Sequence, residues 1–238
     1  MTSGQHHAVR RDPDALATEA IEDYAKAIYA LQRRQGGPIG TSALAERLGL
    51  SPASVTAMLK RMHEMKLVAY EPYHGVTLTP AGERVALEVM RHHRLLESYL
   101  AEALGMSWDR VHDEAEVLEH YISEELEERI AEALGNPSRD PHGDPIPDQK
   151  LALDAEVGVP LGELGVGEGG TFSRVSDSDP EMLRYLGERG IQPGARVEVV
   201  EAQPFGGPLL VKVDGREHAL GGELAAKMRV EVGEAEAP

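Results

Sequence analysis

The stretch NPSRDPHGDPIPDQK, residues 136–150, carries four prolines. Proline removes a backbone donor and crowds the preceding turn, so neither a helix nor a central strand can run through it. Its density in Pro, Gly and Asp reads as a linker or domain boundary. Residues 80–135 before it show helical spacing. Residues 151–232 after it show short alternating runs, RVEVVE, LLVKV and MRVEV, set apart by turn residues, which is the pattern of a small β-barrel.

At 238 residues and 41% hydrophobic content the chain can build two or three small cores. It has no cysteine, which excludes disulfides, thiolate zinc sites and cysteine nucleophiles, and leaves any metal to nitrogen and oxygen donors. The N-terminus MTSGQHHAVRRDPDALATEA has no apolar targeting core, and no run approaches the roughly 18 apolar residues that cross a bilayer. The expectation is a soluble cytoplasmic protein without membrane contact. The net charge of -17 opposes nucleic-acid binding, but it is unevenly spread. Residues 1–80 carry 9 Lys and Arg against 8 Asp and Glu, residues 81–150 carry 7 against 17, and residues 151–238 carry 8 against 16. The N-terminal third alone has a charge compatible with DNA.

That third reads as helices followed by a hairpin. Asp12-Pro13 is a helix start, and Ile21, Tyr24, Ala25, Ile28 and Leu31 give a helical apolar stripe. TSALAERLGL fits a second helix, and SPASVTAMLKRMHEMKLV a third, with Ser51 as cap and Pro52 in the first turn. VAYEPYHGVTLT then makes a small hairpin. Together these form a winged helix-turn-helix, in which Ser51, Pro52, Ser54, Thr56, Lys60 and Arg61 would face double-stranded DNA. Between Arg33 and Lys66 six basic residues stand against two acidic ones. No Arg, Asn or Gln on the third helix is placed for a bidentate base contact, so phosphate contacts and DNA shape would dominate. The alternative is a three-helix protein-binding module with ordinary surface charge.

In the middle block, one helix is expected over roughly 80–104, a second from near Ser107 past His120, and a third from Ser123 to Leu134-Gly135. On the second, His112, Glu116, Glu119 and His120 share an arc of about 100°. Val111, Ala115, Leu118 and Ile122 take the opposite arc. His93 and Glu97 lie one turn apart on the preceding helix. Each pair alone is as easily a solvated acidic face; together on adjacent helices they make a site for Mn²⁺, Fe²⁺, Zn²⁺ or Co²⁺, with oxygen-rich donors leaning toward Mn²⁺.

Four stretches, EDYAKAIYAL, SPASVTAMLKRM, RHHRLLESYL with VHDEAEVLEH, and PHGDPIP, resemble the diphtheria toxin repressor and manganese transport regulator family of metal-dependent repressors, over residues 15–232. The resemblance implies an α+β chain with a winged helix-turn-helix domain (1–79), a helical metal-binding and dimerisation domain with linker (80–150), and an SH3-like, FeoA-like barrel (151–238). It implies a primary metal site from Asp23, Glu116, Glu119 and His120, and an ancillary site from His93, Glu97 and His112, with Asp179 or Glu181 of SDSDPEML as further ligands. Asp23 and Glu116 match the manganese-responsive branch, although Lys26 stands where that branch carries Glu. The implied function is a homodimeric repressor that binds a palindromic operator when loaded with Mn²⁺, with Fe²⁺ as the alternative and Zn²⁺, Co²⁺ or Cd²⁺ able to substitute. No small-molecule substrate is expected. A metallohydrolase is the competing enzyme reading, but HExxH, the P-loop and Gly-x-Ser-x-Gly are all absent. A winged-helix adaptor whose barrel recruits a protein is the third reading.

Overall fold

The computed structural model of the chain describes residues 13–155, 157–204 and 207–233. They divide into two compact units, the first ending at Met90 and the second beginning at Arg91 along the chain. No helix among the described residues is long and apolar enough to cross a membrane. The Asp12 cap expected from the sequence lies outside the described residues.

The first unit begins with α1 (Pro13–Gln35), whose Ile21, Tyr24, Ala25, Ile28 and Leu31 are all buried, as the stripe requires. Then come α2 (Thr41–Leu48) and α3 (Pro52–Glu64). Ser51 caps α3 through its hydroxyl, which accepts from the Ser54 amide at 3.1 Å, and Pro52 fixes the first turn. Val55, Leu59 and Met62 bury one face of α3, leaving Lys60 and Arg61 exposed on the other. The wing is an antiparallel hairpin, β1 (Val68–Glu71) with β2 (Gly75–Leu78), in register from Val68↔Leu78 to Glu71↔Gly75. Ile39 bridges to Val76 and ties the wing to the segment before α2.

The wing turns at Pro72-Tyr73, where the His74 amide donates to the Glu71 carbonyl at 3.0 Å. Tyr73 is fully exposed and sits at φ 66. That is the third position of a type II turn, normally Gly or Asn, and a left-handed non-glycine residue costs about 1–2 kcal/mol. With no burial to offset the strain, Tyr73→Asn is expected to stabilise the first unit by about 0.5–1 kcal/mol. A raised urea midpoint with an unchanged slope would register it; an unmoved midpoint would not fit.

α4 (Pro80–Glu102) crosses from one unit into the other. In the second unit its C-terminal half packs with α5 (Val111–Leu118) and α6 (Glu124–Ala133) around Leu95, Leu96, Ala115, Ile130, Ala131 and Ile146. α5 is shorter than its sequence pattern suggests: residues 107–110 form turns and Trp108 joins the core of the sheet domain. The sheet is antiparallel and six-stranded, with order β3 (Val159–Pro160), β8 (Met228–Val232), β4 (Gly169–Val175), β5 (Arg196–Ala202), β6 (Leu209–Val213), β7 (Arg216–Leu220). Bulges in β4 and β5 re-aim the strands around a core that includes Phe172, Leu186, Val199 and Val211. α7 (Pro180–Gly187) and α8 (Gly222–Lys227) complete it. The whole is α+β.

The segment expected as a linker is, over residues 142–147, buried. Prolines bring carbonyls without donors, and arginines of α4 satisfy them. Arg91 Nη1 donates to the Pro147 carbonyl at 2.7 Å, and Arg94 donates to that of Pro145. On its other side the Val175 amide of β4 donates to the His142 carbonyl at 2.9 Å, and Arg174 pairs with Asp144 at 2.7 Å. The helical and sheet parts of the second unit are therefore joined through a structured strap.

Candidate metal centre and DNA-reading face

α4 presents His93 and Glu97 one turn apart, α5 presents His112, and the β4–α7 loop brings Asp177. Glu97 is fully buried and His93 nearly so. His93 Nε2 lies 3.0 Å from Glu97 Oε1 and 3.1 Å from His112 Nδ1. His112 Nδ1 lies 3.2 Å from the same Oε1 and 3.4 Å from Asp177 Oδ2. Donors bound to one ion at about 2.0–2.2 Å stand about 3.0–3.5 Å apart, so this set fits a small divalent cation.

The outer contacts agree with that fit. His93 Nδ1 lies 2.5 Å from Glu119 Oε2. An imidazole that donates through one nitrogen to a carboxylate turns a bare lone pair outward from the other, as metal-binding histidines do. Burial alone would raise Glu97, but the His112, His142 and His93 rings that face it hold its carboxyl well below the ordinary range. Hydrogen bonding to Glu97 raises His112 against its burial, and Asp177 adds to the rise. The pull of this cluster on positive charge is thus built in before any ion arrives.

Glu119 and His120 lie just beyond the C-terminus of α5. Glu119 is 1% exposed, and His120 Nε2 stands 3.7 Å from its Oε1. Glu116 Oε1 is 3.8 Å from His93 Nδ1 and 3.9 Å from His112 Nε2. The structure thus keeps Glu116 and Glu119 beside His93, with His120 next to Glu119. Asp23 is on α1, in the first unit.

Of the SDSDPEML acids, Asp177 reaches the site, while Asp179 and Glu181 do not. Asp179 caps α7, accepting from the Glu181 and Met182 amides at 3.1 and 3.2 Å, and lies 3.9 Å from Lys227. Glu181 points to solvent in the first turn of α7. A cap spends the carboxylate on backbone donors.

His142, within the segment read from the sequence as a linker, is fully buried behind Glu97. Its Nε2 is 2.8 Å from the Trp108 carbonyl and its Nδ1 is 3.6 Å from Glu97 Oε2. Burial would lower it, but Glu97 reverses the sign and pushes it up to about 9.

On the first unit, Ser51 and Ser54 share a 2.9 Å hydroxyl contact, and Thr56 donates to the Pro52 carbonyl at 2.8 Å. The hydroxyls at the start of α3 are thus partly committed to the helix itself, and the long cations Lys60 and Arg61 stay on its exposed face.

The chain matches family models along nearly all of its described length: iron dependent repressor, N-terminal DNA binding domain, over residues 17–76; iron dependent repressor, metal binding and dimerisation domain, over 79–148; and the FeoA domain over 159–232. It is 32% identical over 223 residues to the diphtheria toxin repressor of Corynebacterium glutamicum, covering 90% of this chain and 96% of that one. The chain belongs to the diphtheria toxin repressor family. It is also 33% identical to the iron-dependent repressor IdeR of Mycobacterium tuberculosis, over 90% of this chain and 97% of the relative. Among solved structures, a manganese-dependent transcriptional repressor in complex with manganese aligns with a TM-score of 0.80 and 40% identity, over 89% of this chain and 99% of the other. Members of the diphtheria toxin repressor family are metal-dependent transcriptional repressors and not enzymes, which sets aside the metallohydrolase reading. The matched DNA-binding domain likewise sets aside a purely protein-binding helical module.

Proposed function

We propose that this family member is a manganese-responsive repressor, in which ion binding by His93, Glu97, His112 and Asp177, and by Glu116, Glu119 and His120, enables operator binding by α3. The observation that carries this is the convergence of His93 Nε2, His112 Nδ1 and Glu97 Oε1 at 3.0–3.2 Å. Asp23 is assigned to the second set by the family resemblance. Mn²⁺ is favoured because the donors are nitrogen and oxygen throughout, and because a manganese-dependent repressor is 40% identical. A divalent cation supplies the positive charge that lets close carboxylates coexist.

The chain's residues then divide the work. Buried Glu119 orients His93, and Asp177 brings the β4–α7 loop to the same donors. Leu96, Tyr99, Leu118, Tyr121, Ile122 and Leu126 line an apolar groove on α4, α5 and α6 whose exposed residues suit a second copy of the chain. A symmetric dimer implies a palindromic operator with half-sites about one helical turn apart. Lys60 and Arg61 would meet phosphates.

Selection of duplexes from a random DNA pool, with Mn²⁺, Fe²⁺, Zn²⁺ or EDTA in parallel, tests this reading. A palindrome enriched with Mn²⁺ and lost with EDTA is expected; enrichment that ignores chelation contradicts it. On the selected duplex, Lys60→Ala should weaken binding across related sequences alike and reduce the salt slope by about 1.

A further inference from the structure

We infer that the helical part of the second unit carries a further zinc site, separate from the donors described above, in which His92 of α4 and Glu124 and Glu127 of α6 hold Zn²⁺ between the two helices.

His92 and His93 are neighbours on α4, about 100° apart around the helix, so their rings leave it in different directions. His93 turns to Glu97, His112 and Glu119, whereas His92 turns to the first turn of α6. His92 is 7% exposed. Its Nδ1 donates to the Glu119 carbonyl at 3.2 Å, which fixes the proton of the neutral ring there and leaves Nε2 with a bare lone pair. That nitrogen is sealed from solvent and makes no hydrogen bond. Yet Glu127 Oε2 stands 3.0 Å from it, and Glu124 Oε1 3.9 Å. Closeness without hydrogen-bond alignment is what two ligands of one ion show. Each about 2.1 Å from a shared metal and about 90–110° apart around it, a nitrogen and an oxygen stand about 3.0–3.4 Å from one another, both aimed at the metal.

The outer contacts are those of ligands. Glu127 Oε1 accepts from Arg91 Nε at 2.5 Å, which orients the carboxylate and leaves Oε2 turned to His92. Arg91 is itself held by the Pro147 carbonyl at 2.7 Å. Glu124, with its side chain 74% exposed, reaches the same nitrogen from the water side. One imidazole and two carboxylates with a position left to water make a three-ligand zinc arrangement. Zn²⁺ binds a given nitrogen and oxygen set more tightly than Mn²⁺, which favours six-fold, oxygen-rich surroundings. The ion would clasp α4 to α6, whose Leu126 and Ile130 line the apolar groove.

The test uses the full chain stripped of metal and dialysed against ZnCl₂ at buffered free concentrations, with bound zinc counted per chain. Glu124→Gln is the informative variant, because its side chain is exposed and its loss leaves the Arg91 to Glu127 pair in place, so the fold is not at stake. One zinc-binding step is expected to weaken by at least about 10-fold, since a direct ligand counts for no less than an outer partner, while the other steps are unchanged. Glu125→Gln removes an equally exposed charge one residue along α6 and should bind as the wild type does. The Glu124 effect should persist in a Glu97→Gln background, which separates this site from the donors on α5. Zinc anomalous scattering from crystals grown with ZnCl₂ should then show an ion bonded to His92 Nε2. Unchanged zinc binding in Glu124→Gln, or an equal loss in Glu125→Gln, overturns the inference and leaves His92, Glu127 and Arg91 as a buried ion network only. Disappearance of the Glu124 effect in the Glu97→Gln background, or anomalous peaks confined to the other donors, overturns it as well.

Discussion

Replacing Glu119 by alanine is expected to abolish metal-dependent DNA binding while leaving a folded chain. The carboxylate is 1% exposed and meets His93 Nδ1 at 2.5 Å, so it fixes which nitrogen of His93 faces the ancillary donors. It also stands 3.7 Å from His120, its neighbour in the other proposed set. One change therefore damages both sets, and the apparent metal affinity should fall by about 100-fold or more. The fold is expected to survive because the change removes a buried negative charge together with its hydrogen bond, and an unmade bond at His93 costs about 1–3 kcal/mol. Two measurements separate the effects. In the wild type, metal at about 100 times its dissociation constant adds about 2.7 kcal/mol to stability, so chelation should lower the melting temperature. In Glu119→Ala the melting curve should be indifferent to Mn²⁺ and to EDTA, with far-UV circular dichroism unchanged. A variant that still gains stability from Mn²⁺, or still binds the operator only when metal is present, would show that Glu119 is not where the response resides.

The parts of this architecture that were legible in the sequence are those fixed by local chemistry. Ser51-Pro52 announces α3 because a cap and a first-turn proline act within four residues. RVEVVE, LLVKV and MRVEV announce β5, β6 and β8 because alternation survives in each. β4, GGTFSRV, and β7, REHAL, carry no such alternation; their extended conformation comes from pairing with β8 and β5 in one case and β6 in the other. The helical spacing placed His112, Glu116, Glu119 and His120 on one face, and although α5 ends at Leu118, Glu119 keeps helical dihedrals as its C-cap (φ -57, ψ -28) and so stays on that face. Leu118 is exposed on the apolar groove.

Asp177 and His142 were hidden for different reasons. Within SDSDPEML every acid looks alike, yet Asp179-Pro180 repeats the cap-and-proline signature of Ser51-Pro52. Applied there, the same rule assigns Asp179 to the backbone and leaves Asp177 as the acid available to the site. His142 offers no such local cue. Its burial follows from long-range satisfaction of the proline-rich strap by Arg91, Arg94 and β4, which no short window of sequence displays.

That strap makes Gly143→Ala the substitution with the largest expected effect on stability. Gly143 sits at φ 91, where side chains are strained, and an added Cβ would stand 1.9 Å from the Ser173 carbonyl oxygen and 2.9 Å from the Arg174 Cα. Both obstacles are backbone of β4, a strand paired to β8 on one side and β5 on the other, so neither can give way cheaply. The strap cannot retreat either, because Arg91 holds Pro147, Arg94 holds Pro145, and Asp140 holds the amides of His142 and Asp144. Relief requires breaking one of these layers from the other, for a loss of about 3–5 kcal/mol in the second unit. Gly135→Ala supplies the comparison: Gly135 is also at positive φ, 74°, but an added Cβ would meet nothing within 4 Å. Its cost should be backbone strain alone, about 1–2 kcal/mol. Denaturant unfolding of the two variants would isolate the close approach as the difference between them. Equal losses would mean that the strap and β4 are not held as closely as the carbonyl of Ser173 places them, and that the Asp177 loop, two residues beyond Val175, is brought to His112 by some other anchor.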